Sequence, residues 1–213
     1  MKERRMKIEV NLKIILLLIL LIFLNKIKIY IIFITFILMH ELSHMIIGIL
    51  LGFKPKILRL NPLGISIEFY NYDENSKVNR LKRIFTYLAG PMSNFIFATF
   101  FYFINKDNTF TILIIYTNIL IGIFNLIPIL PLDGGKILKE VLKFFYSPKF
   151  TNLFMIRITK IILIIITLAY SIAIFKIKNI AIFLLIIYLW YLYIIEEKKE
   201  RLIIRVYETI EKQ

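Results

Sequence analysis

The sequence contains no cysteine, and this absence excludes disulfide bonds, thiolate metal sites and cysteine nucleophiles together. Histidine is almost as scarce, with two residues among 213. Acidic residues number 14 against 28 basic residues, so the formal net charge is +14. In a soluble chain this excess of positive charge would suggest a nucleic-acid partner, and the distribution of the charges decides whether it does here.

Apolar residues dominate the composition. They make up 59% of the chain and the mean hydropathy is +0.78, whereas soluble domains contain roughly 45–50% apolar residues. The basic residues cluster between long runs of Ile, Leu and Phe and do not line one face, which is typical of the cytoplasmic loops of membrane proteins. The composition therefore excludes an ordinary soluble domain and predicts an integral membrane protein with no nucleic-acid partner.

Stretches of about 20 residues with few charges predict an all-α polytopic membrane protein. The six predicted transmembrane helices lie at 10–24, 27–51, 84–104, 110–130, 158–175 and 180–195. Most Lys and Arg residues occupy alternate segments between these helices, so both termini are expected in the cytoplasm. No small-residue cleavage site follows the first helix, which predicts a retained signal-anchor. We expect one membrane domain over 1–195 and a short cytoplasmic tail over 196–213.

Few ionisable groups fall at bilayer depth within these helices. The other acidic residues lie in loops, at helix ends or in the tail, and leave Glu41 and Asp133. Both histidines of the chain, His40 and His44, lie beside Glu41. Because such groups are costly to bury in a membrane, they indicate a functional site.

His40, Glu41 and His44 form an HExxH sequence. On a helix the i, i+4 spacing brings both imidazoles to one face, where they can bind one zinc ion with Glu41 as general base. Catalytic zinc usually takes a third protein ligand, and Asp133 is the acid left for that role. At 1.5 Å per residue, His40 lies roughly 18 Å from Lys28 along the helix, so the cleaved bond is expected to enter the membrane.

Simpler interpretations of these residues stay open. Two histidines in an apolar helix also suit a buried hydrogen-bonded pair or a proton relay. Asp133, followed by two glycines, also suits a turn or a helix cap. A non-proteolytic membrane protein that binds metal, or that relays protons or metal ions, is therefore the alternative to a zinc enzyme.

Three motifs together resemble the site-2 protease family of intramembrane zinc metalloproteases, and within it the branch of stage IV sporulation protein FB, which processes pro-sigma-K. They are MHELSH at 39–44, AGPMSNF at 89–95, similar to the family's AGPxxN segment, and NLIPILPLDGGK at 125–136, similar to its NxxPxxPLDGG. The resemblance implies zinc as cofactor, with His40, His44 and Asp133 as its ligands and Glu41 as the base that activates water.

The third motif also concerns the substrate. By the same resemblance, Asn125 and Pro131 hold the substrate near the metal. Pro128 and Pro131 each lack an N–H and break a helix, so the chain is expected to be unwound at Asp133 and to present backbone and amide groups to an extended peptide. A helix-packing role for the Asn125 amide is the alternative.

Segment 57–70, between the second and third predicted helices, is rich in Ile, Leu and aromatic residues and contains Pro62 and Gly64. It predicts a short β-hairpin, similar to the family's re-entrant sheet, whose exposed edge strand could bind substrate by β-augmentation. A hairpin that merely caps the core at the cytoplasmic face is equally consistent with the sequence.

The resemblance implies a multi-pass zinc endopeptidase of the bacterial cell membrane that cuts a membrane-associated regulatory protein, such as a pro-sigma factor. Its expected partners are that protein substrate, the lipid bilayer and membrane regulatory or inhibitory proteins. The sporulation branch continues into a CBS domain, and no such domain lies within the sequence up to Gln213. ATP-responsive control and the sporulation substrate are therefore weaker expectations than the protease activity.

Overall fold

The computed structural model describes residues 7–10, 27–61, 64–69, 76–105, 108–177 and 180–210, as six helices and three strands. The helices are α1 Ile27–Leu50, α2 Lys77–Asn105, α3 Thr109–Asn125, α4 Asp133–Leu142, α5 Pro148–Ile177 and α6 Ile180–Ile210. The strands are β1 Lys7–Val10, β2 Pro55–Asn61 and β3 Gly64–Phe69. The chain divides into two units, Met1–Asn125 and Leu126–Gln213.

Four of the described helices are long and apolar enough to cross a membrane: Ile31–Leu50, Lys77–Asn105, Thr109–Leu126 and Pro148–Ile172. They correspond to the second to fifth predicted spans. The first predicted span, 10–24, lies outside the described residues except for Val10, which is the last residue of β1. The chain is a multi-pass membrane protein, and the count of six spans stays a prediction.

Two helix ends differ from the sequence prediction. Helix α3 ends at Asn125, although the predicted span continued to residue 130, because Pro128 and Pro131 lack the N–H groups that a continuing helix needs. Helix α6 continues unbroken through residue 196 to Ile210. No helix therefore ends at residue 195, where the sequence predicts that the membrane domain gives way to the tail. That boundary stays a prediction.

The three strands form one sheet in the order β1-β2-β3. β2 and β3 pair antiparallel in the segment that predicted a hairpin, with Leu58 opposite Ile67. β1 pairs parallel with β2, with Ile8 opposite Leu58, and the sequence analysis did not anticipate this strand. The re-entrant position of the hairpin at the membrane face stays a prediction.

The first unit has an apolar core between α1, α2 and α3. Ile32 and Phe36 of α1 pack with Ile114 and Ile121 of α3 in one buried cluster. Aromatic rings of α2 complete the cluster, since the ring of Phe97 meets that of Phe36 edge-on with centroids 5.6 Å apart. Apolar side chains on other faces of these helices are exposed, as expected for surfaces that meet lipid.

The ring of Phe69 attaches strand β3 to helix α1. The ring of Phe69 lies over Gly48, so closely that a Cβ atom at Gly48 would approach it to 2.5 Å. Phe53, just after α1, also packs against this ring, with centroids 5.9 Å apart. The sheet is thus held one helical turn beyond His44.

The second unit contains a buried ion pair that the sequence did not predict. Lys139 of α4 donates to Glu200 of α6, whose side chain is 2% exposed. Burial lowers the pKa of Lys139, and the charge and hydrogen bond of Glu200 oppose that shift. Glu140 is also buried, and it accepts from Lys143 at 2.9 Å. Glu140 and Glu200 are therefore buried, although the sequence places them in a loop and in the tail.

Candidate metal centre

Helix α1 carries both histidines on one face. His40 and His44 are 3% and 7% exposed, and their ring centroids lie 4.7 Å apart. The two Nε2 atoms face each other at 3.1 Å. Glu41, on the same helix, is half-buried. The helical spacing that the HExxH sequence predicts is therefore present, with two imidazole nitrogens directed at one point.

The other nitrogen of each ring is held by helix α2. Nδ1 of His44 lies 2.6 Å from the backbone carbonyl oxygen of Thr86. A carbonyl oxygen only accepts hydrogen bonds, so Nδ1 of His44 carries the proton and its Nε2 keeps a lone pair. Nδ1 of His40 lies 2.6 Å from Oδ1 of Asn94. Metal-binding histidines are typically held in this way through the nitrogen that does not bind the metal.

Gly90 leaves space for the two imidazole rings. A Cβ atom at this position would lie 2.3 Å from Nε2 and 2.5 Å from Cε1 of His44, and 2.6 Å from Nε2 of His40. A side chain here would therefore collide with both rings. The second motif, AGPMSNF, therefore supplies a residue without a side chain, Gly90, where the rings need space, and a hydrogen-bonding partner for His40, Asn94.

Asp133 is the first residue of helix α4 and is 4% exposed. One of its oxygens, Oδ1, accepts from Nζ of Lys136 at 3.1 Å. The two glycines that follow are required by the loop before the helix. A Cβ atom at Gly134 would lie 2.1 Å from the carbonyl oxygen of Leu126, and one at Gly135 would lie 2.4 Å from that of Ile129. The Asp-Gly-Gly sequence thus lets the chain fold tightly around a buried carboxylate.

The loop at 126–132 is anchored within the second unit. Ile129 and Leu130 are buried, and the backbone N–H of Leu130 donates to Oγ1 of Thr159 at 3.2 Å. The chain is non-helical from 126 to 132, as the prolines predicted, although Asp133 itself begins a helix. The unwound segment therefore ends one residue before Asp133.

The two residues expected to hold substrate lie at the ends of this segment. Asn125 is the last residue of α3, and its Nδ2 donates to the carbonyl of Ile121 in the same helix at 3.0 Å. Pro131 is half-buried and follows a cis peptide bond. A role in substrate binding stays a prediction for both residues.

The candidate metal-ligating residues are all buried in the part of the chain that the structure describes. His40 and His44 form a facing pair in the first unit, and Asp133 lies in the second unit. Two imidazoles with a carboxylate are a donor set typical of zinc in metalloproteases. This donor set fits a zinc ion.

Four residues around this site were not predicted from the sequence. The role of Gly90 and that of Asn94 were not inferred from their motif, and Thr86 acts through its backbone, which no side-chain pattern records. The uncharged residue Asn118 was not considered either, although it is fully buried and accepts a hydrogen bond from Asn94. An amide at the middle of an apolar helix is costly enough to be a signal in its own right.

Two comparisons with known proteins found matches. The profile described as Peptidase family M50 matches residues 28–106 and 103–169, which cover more than half of the chain and include both histidines and Asp133. Among solved structures, the chain resembles the Site-2 Protease from Methanocaldococcus jannaschii with a TM-score of 0.67 and 22% identity, over 92% of this chain and 93% of that one. At this identity the likeness shows the fold. A comparison with curated proteins gave no match.

Proposed function

Because this chain belongs to peptidase family M50 and is a metalloendopeptidase of the site-2 protease type, we propose that it cuts a membrane-associated regulatory protein within or near the bilayer. The observation that carries the proposal is the buried pair of His40 and His44, whose Nε2 atoms face each other at 3.1 Å with both Nδ1 atoms held by other partners.

Zinc is the proposed cofactor, with His40, His44 and Asp133 as its ligands. All three side chains are buried, as a site that excludes bulk water requires. When bound, zinc supplies Lewis acidity, which polarises a carbonyl and lowers the pKa of water. Oδ1 of Asp133 also accepts from Lys136, whose positive charge favours the ionised carboxylate that a metal ligand requires.

Glu41 is the proposed general base. It lies on α1 between the two histidines and is half-buried, whereas both histidines are buried. It accepts the proton of the attacking water and then donates it to the leaving amine. The peptide C–N bond breaks as the new C–O bond forms, so the reaction is a hydrolysis.

The substrate is proposed to bind as an extended strand, because a helical peptide hides its carbonyl groups. Within the described residues, β3 pairs with β2 on one side, and Phe69 ties it to helix α1 beyond His44. A peptide added along β3 would gain backbone hydrogen bonds. Asn125 and Pro131, at the unwound segment, are proposed to orient the same peptide near its scissile bond.

The finer identity of the substrate and the orientation in the membrane are also proposals. From the resemblance of its three motifs, the chain is proposed to be a sporulation-type enzyme that processes a pro-sigma factor. Alternation of the basic segments supports a bacterial cell-membrane protein with both termini in the cytoplasm. Membrane regulatory or inhibitory proteins are the partners expected for such an enzyme.

Co-expression tests the proposal directly. Wild-type protein and Glu41→Gln are each expressed with a tagged pro-sigma-K-like protein and with a panel of single-span membrane proteins, and cleavage is followed on gels. Zinc is measured in the purified proteins, with His44→Ala as the metal-free control. We expect one zinc per chain in wild type and in Glu41→Gln, and cleavage by the wild type alone. Absence of zinc from the wild type, or equal cleavage by Glu41→Gln, would overturn the proposal; zinc that moves across vesicles without any cleavage would instead favour the metal-relay alternative.

A further inference from the structure

A chain of side-chain amides leads from His40 into helix α3. Nδ1 of His40 lies 2.6 Å from Oδ1 of Asn94, and Nδ2 of Asn94 donates to Oδ1 of Asn118 at 3.0 Å. Nδ2 of Asn118 then donates to the backbone carbonyl oxygen of Ile114, also at 3.0 Å. Both asparagines are fully buried. We call Asn94 and Asn118 with the Ile114 carbonyl the amide relay.

The Ile114 carbonyl determines which group of each amide donates and which accepts a hydrogen bond. A backbone carbonyl oxygen can only accept, so Asn118 must turn its NH₂ group toward Ile114. Its oxygen then faces Asn94, whose NH₂ group must donate to it. This leaves the oxygen of Asn94 for His40, and an oxygen that accepts requires the proton on Nδ1 of that ring.

We infer that Asn94 and Asn118 are positioning residues that hold His40 in the tautomer needed to bind the metal. The inference rests on the proposed function, because it assigns the relay to the same zinc site. Asn94 touches the ligand directly, and Asn118 acts through Asn94. His44 needs no relay, because the Thr86 carbonyl determines its tautomer directly.

The distance between the histidines shows why the tautomer matters. With both protons on Nδ1, the two Nε2 atoms present lone pairs to each other at 3.1 Å, and neither ring can donate to the other. A cation between them removes this repulsion. If His40 instead carried its proton on Nε2, it would donate to Nε2 of His44. Nε2 of His40 would then carry a proton and Nε2 of His44 would accept it, so neither atom could bind the metal. The amide relay prevents this hydrogen bond and thereby favours metal binding.

Zinc affinity tests the inference without measuring cleavage. Full-length protein in detergent is titrated with zinc against a chelator for wild type, Asn94→Leu and Asn118→Leu. We expect both variants to bind zinc about 10- to 100-fold more weakly, the range found when outer partners of metal ligands are removed. Thr117→Val is the matched control, because Thr117 is adjacent to Asn118 and bonds only to Leu113 of its own helix. Its affinity should equal that of the wild type.

A rescue variant separates positioning from packing. A carboxylate has two equivalent oxygens and needs no neighbour to orient it, so Asn94→Asp should bind zinc within a few-fold of the wild type. The double variant Asn94→Asp/Asn118→Leu should recover most of the affinity that Asn118→Leu loses. A loss in the double variant as large as in Asn118→Leu would overturn the positioning role. If Asn118→Leu fails to fold, Asn118→Ala takes its place in the same comparison.

Nitrogen NMR of the zinc-free protein reports the tautomer itself. The chain has two histidines, so the spectrum contains two rings, and His44 serves as an internal control. We expect the proton on Nδ1 of His40 in the wild type and on Nε2 in Asn118→Leu, with His44 unchanged. An unchanged His40 tautomer in Asn118→Leu would overturn the inference. This readout does not depend on bound metal, so failure of the wild type to bind zinc would refute the proposed function and leave the relay to be judged by NMR.

Discussion

Gly90 of helix α2 lies directly against the ring of His44, so that a Cβ atom at Gly90 would stand 2.3 Å from Nε2. The same atom would stand 2.6 Å from Nε2 of His40. A methyl group at this position would therefore collide with both imidazole rings. The glycine of the AGP segment therefore matters because it has no side chain that would displace the histidines.

Gly90→Ala is expected to abolish tight zinc binding. The added methyl group cannot move, because it is attached to the backbone of a packed helix, so the histidines must turn away from the site. We expect an affinity loss of at least about 100-fold, measured by competition with a chelator, with helical content unchanged. Ser93→Ala, which removes a hydroxyl bonded to the Gly90 carbonyl, is the control and should keep its zinc. Normal zinc affinity in Gly90→Ala would show that the histidines can bind zinc without the space that Gly90 leaves.

Zinc should stabilise the folded protein through the histidine pair. A ligand that binds only the folded state adds about 2.7 kcal/mol at a concentration 100 times its Kd. We expect the Tm of the chelator-treated wild type to rise when zinc is added back. His44→Ala should show no rise, because its single remaining imidazole cannot hold the ion with Asp133. An equal rise in both proteins would place the zinc elsewhere.

Asn125→Ala is expected to lower turnover and leave zinc in place. Loss of one hydrogen-bond donor to a reacting carbonyl typically costs about 100- to 1,000-fold in kcat. The measurement is cleavage of a fluorescent peptide together with the zinc content of the same sample. Unchanged turnover would leave Asn125 with the role that its hydrogen bond to Ile121 describes, which is to terminate helix α3.

Lys139→Met tests the buried ion pair of the second unit. It leaves Glu200 without its cation, and breaking a buried pair at one partner typically costs about 3–5 kcal/mol of folding free energy. We expect a clear fall in Tm, and a recovery in Lys139→Met/Glu200→Leu, where no charge is left buried. Lys199→Met, at an exposed pair with Glu196, should cost less than about 1 kcal/mol. Similar Tm values for Lys139→Met and Lys199→Met would show that the buried pair contributes no more to stability than the exposed pair does.

Much of this architecture could be predicted from local sequence. Apolar runs and the segments of Lys and Arg between them indicated the helices, because the length of a span and the charge of its flanks are local properties. The spacing of His40 and His44 predicted a shared face for the same reason, since 3.6 residues per turn hold wherever a helix forms. Strand β1 was missed, because its four residues directly precede an apolar run and its pairing with β2 lies some 50 residues away.

The sequence alone thus determined the candidate chemistry of the chain: the residues able to bind a metal, the proposed base between them and the apolar helices that carry them. The tertiary structure decided which nitrogen of each histidine holds the proton and how much space is left for the rings. These depend on Thr86, Gly90 and Asn94, which lie on another helix. Hydrogen bonds and steric limits between such distant residues exist only when the helices pack, so no local pattern records them.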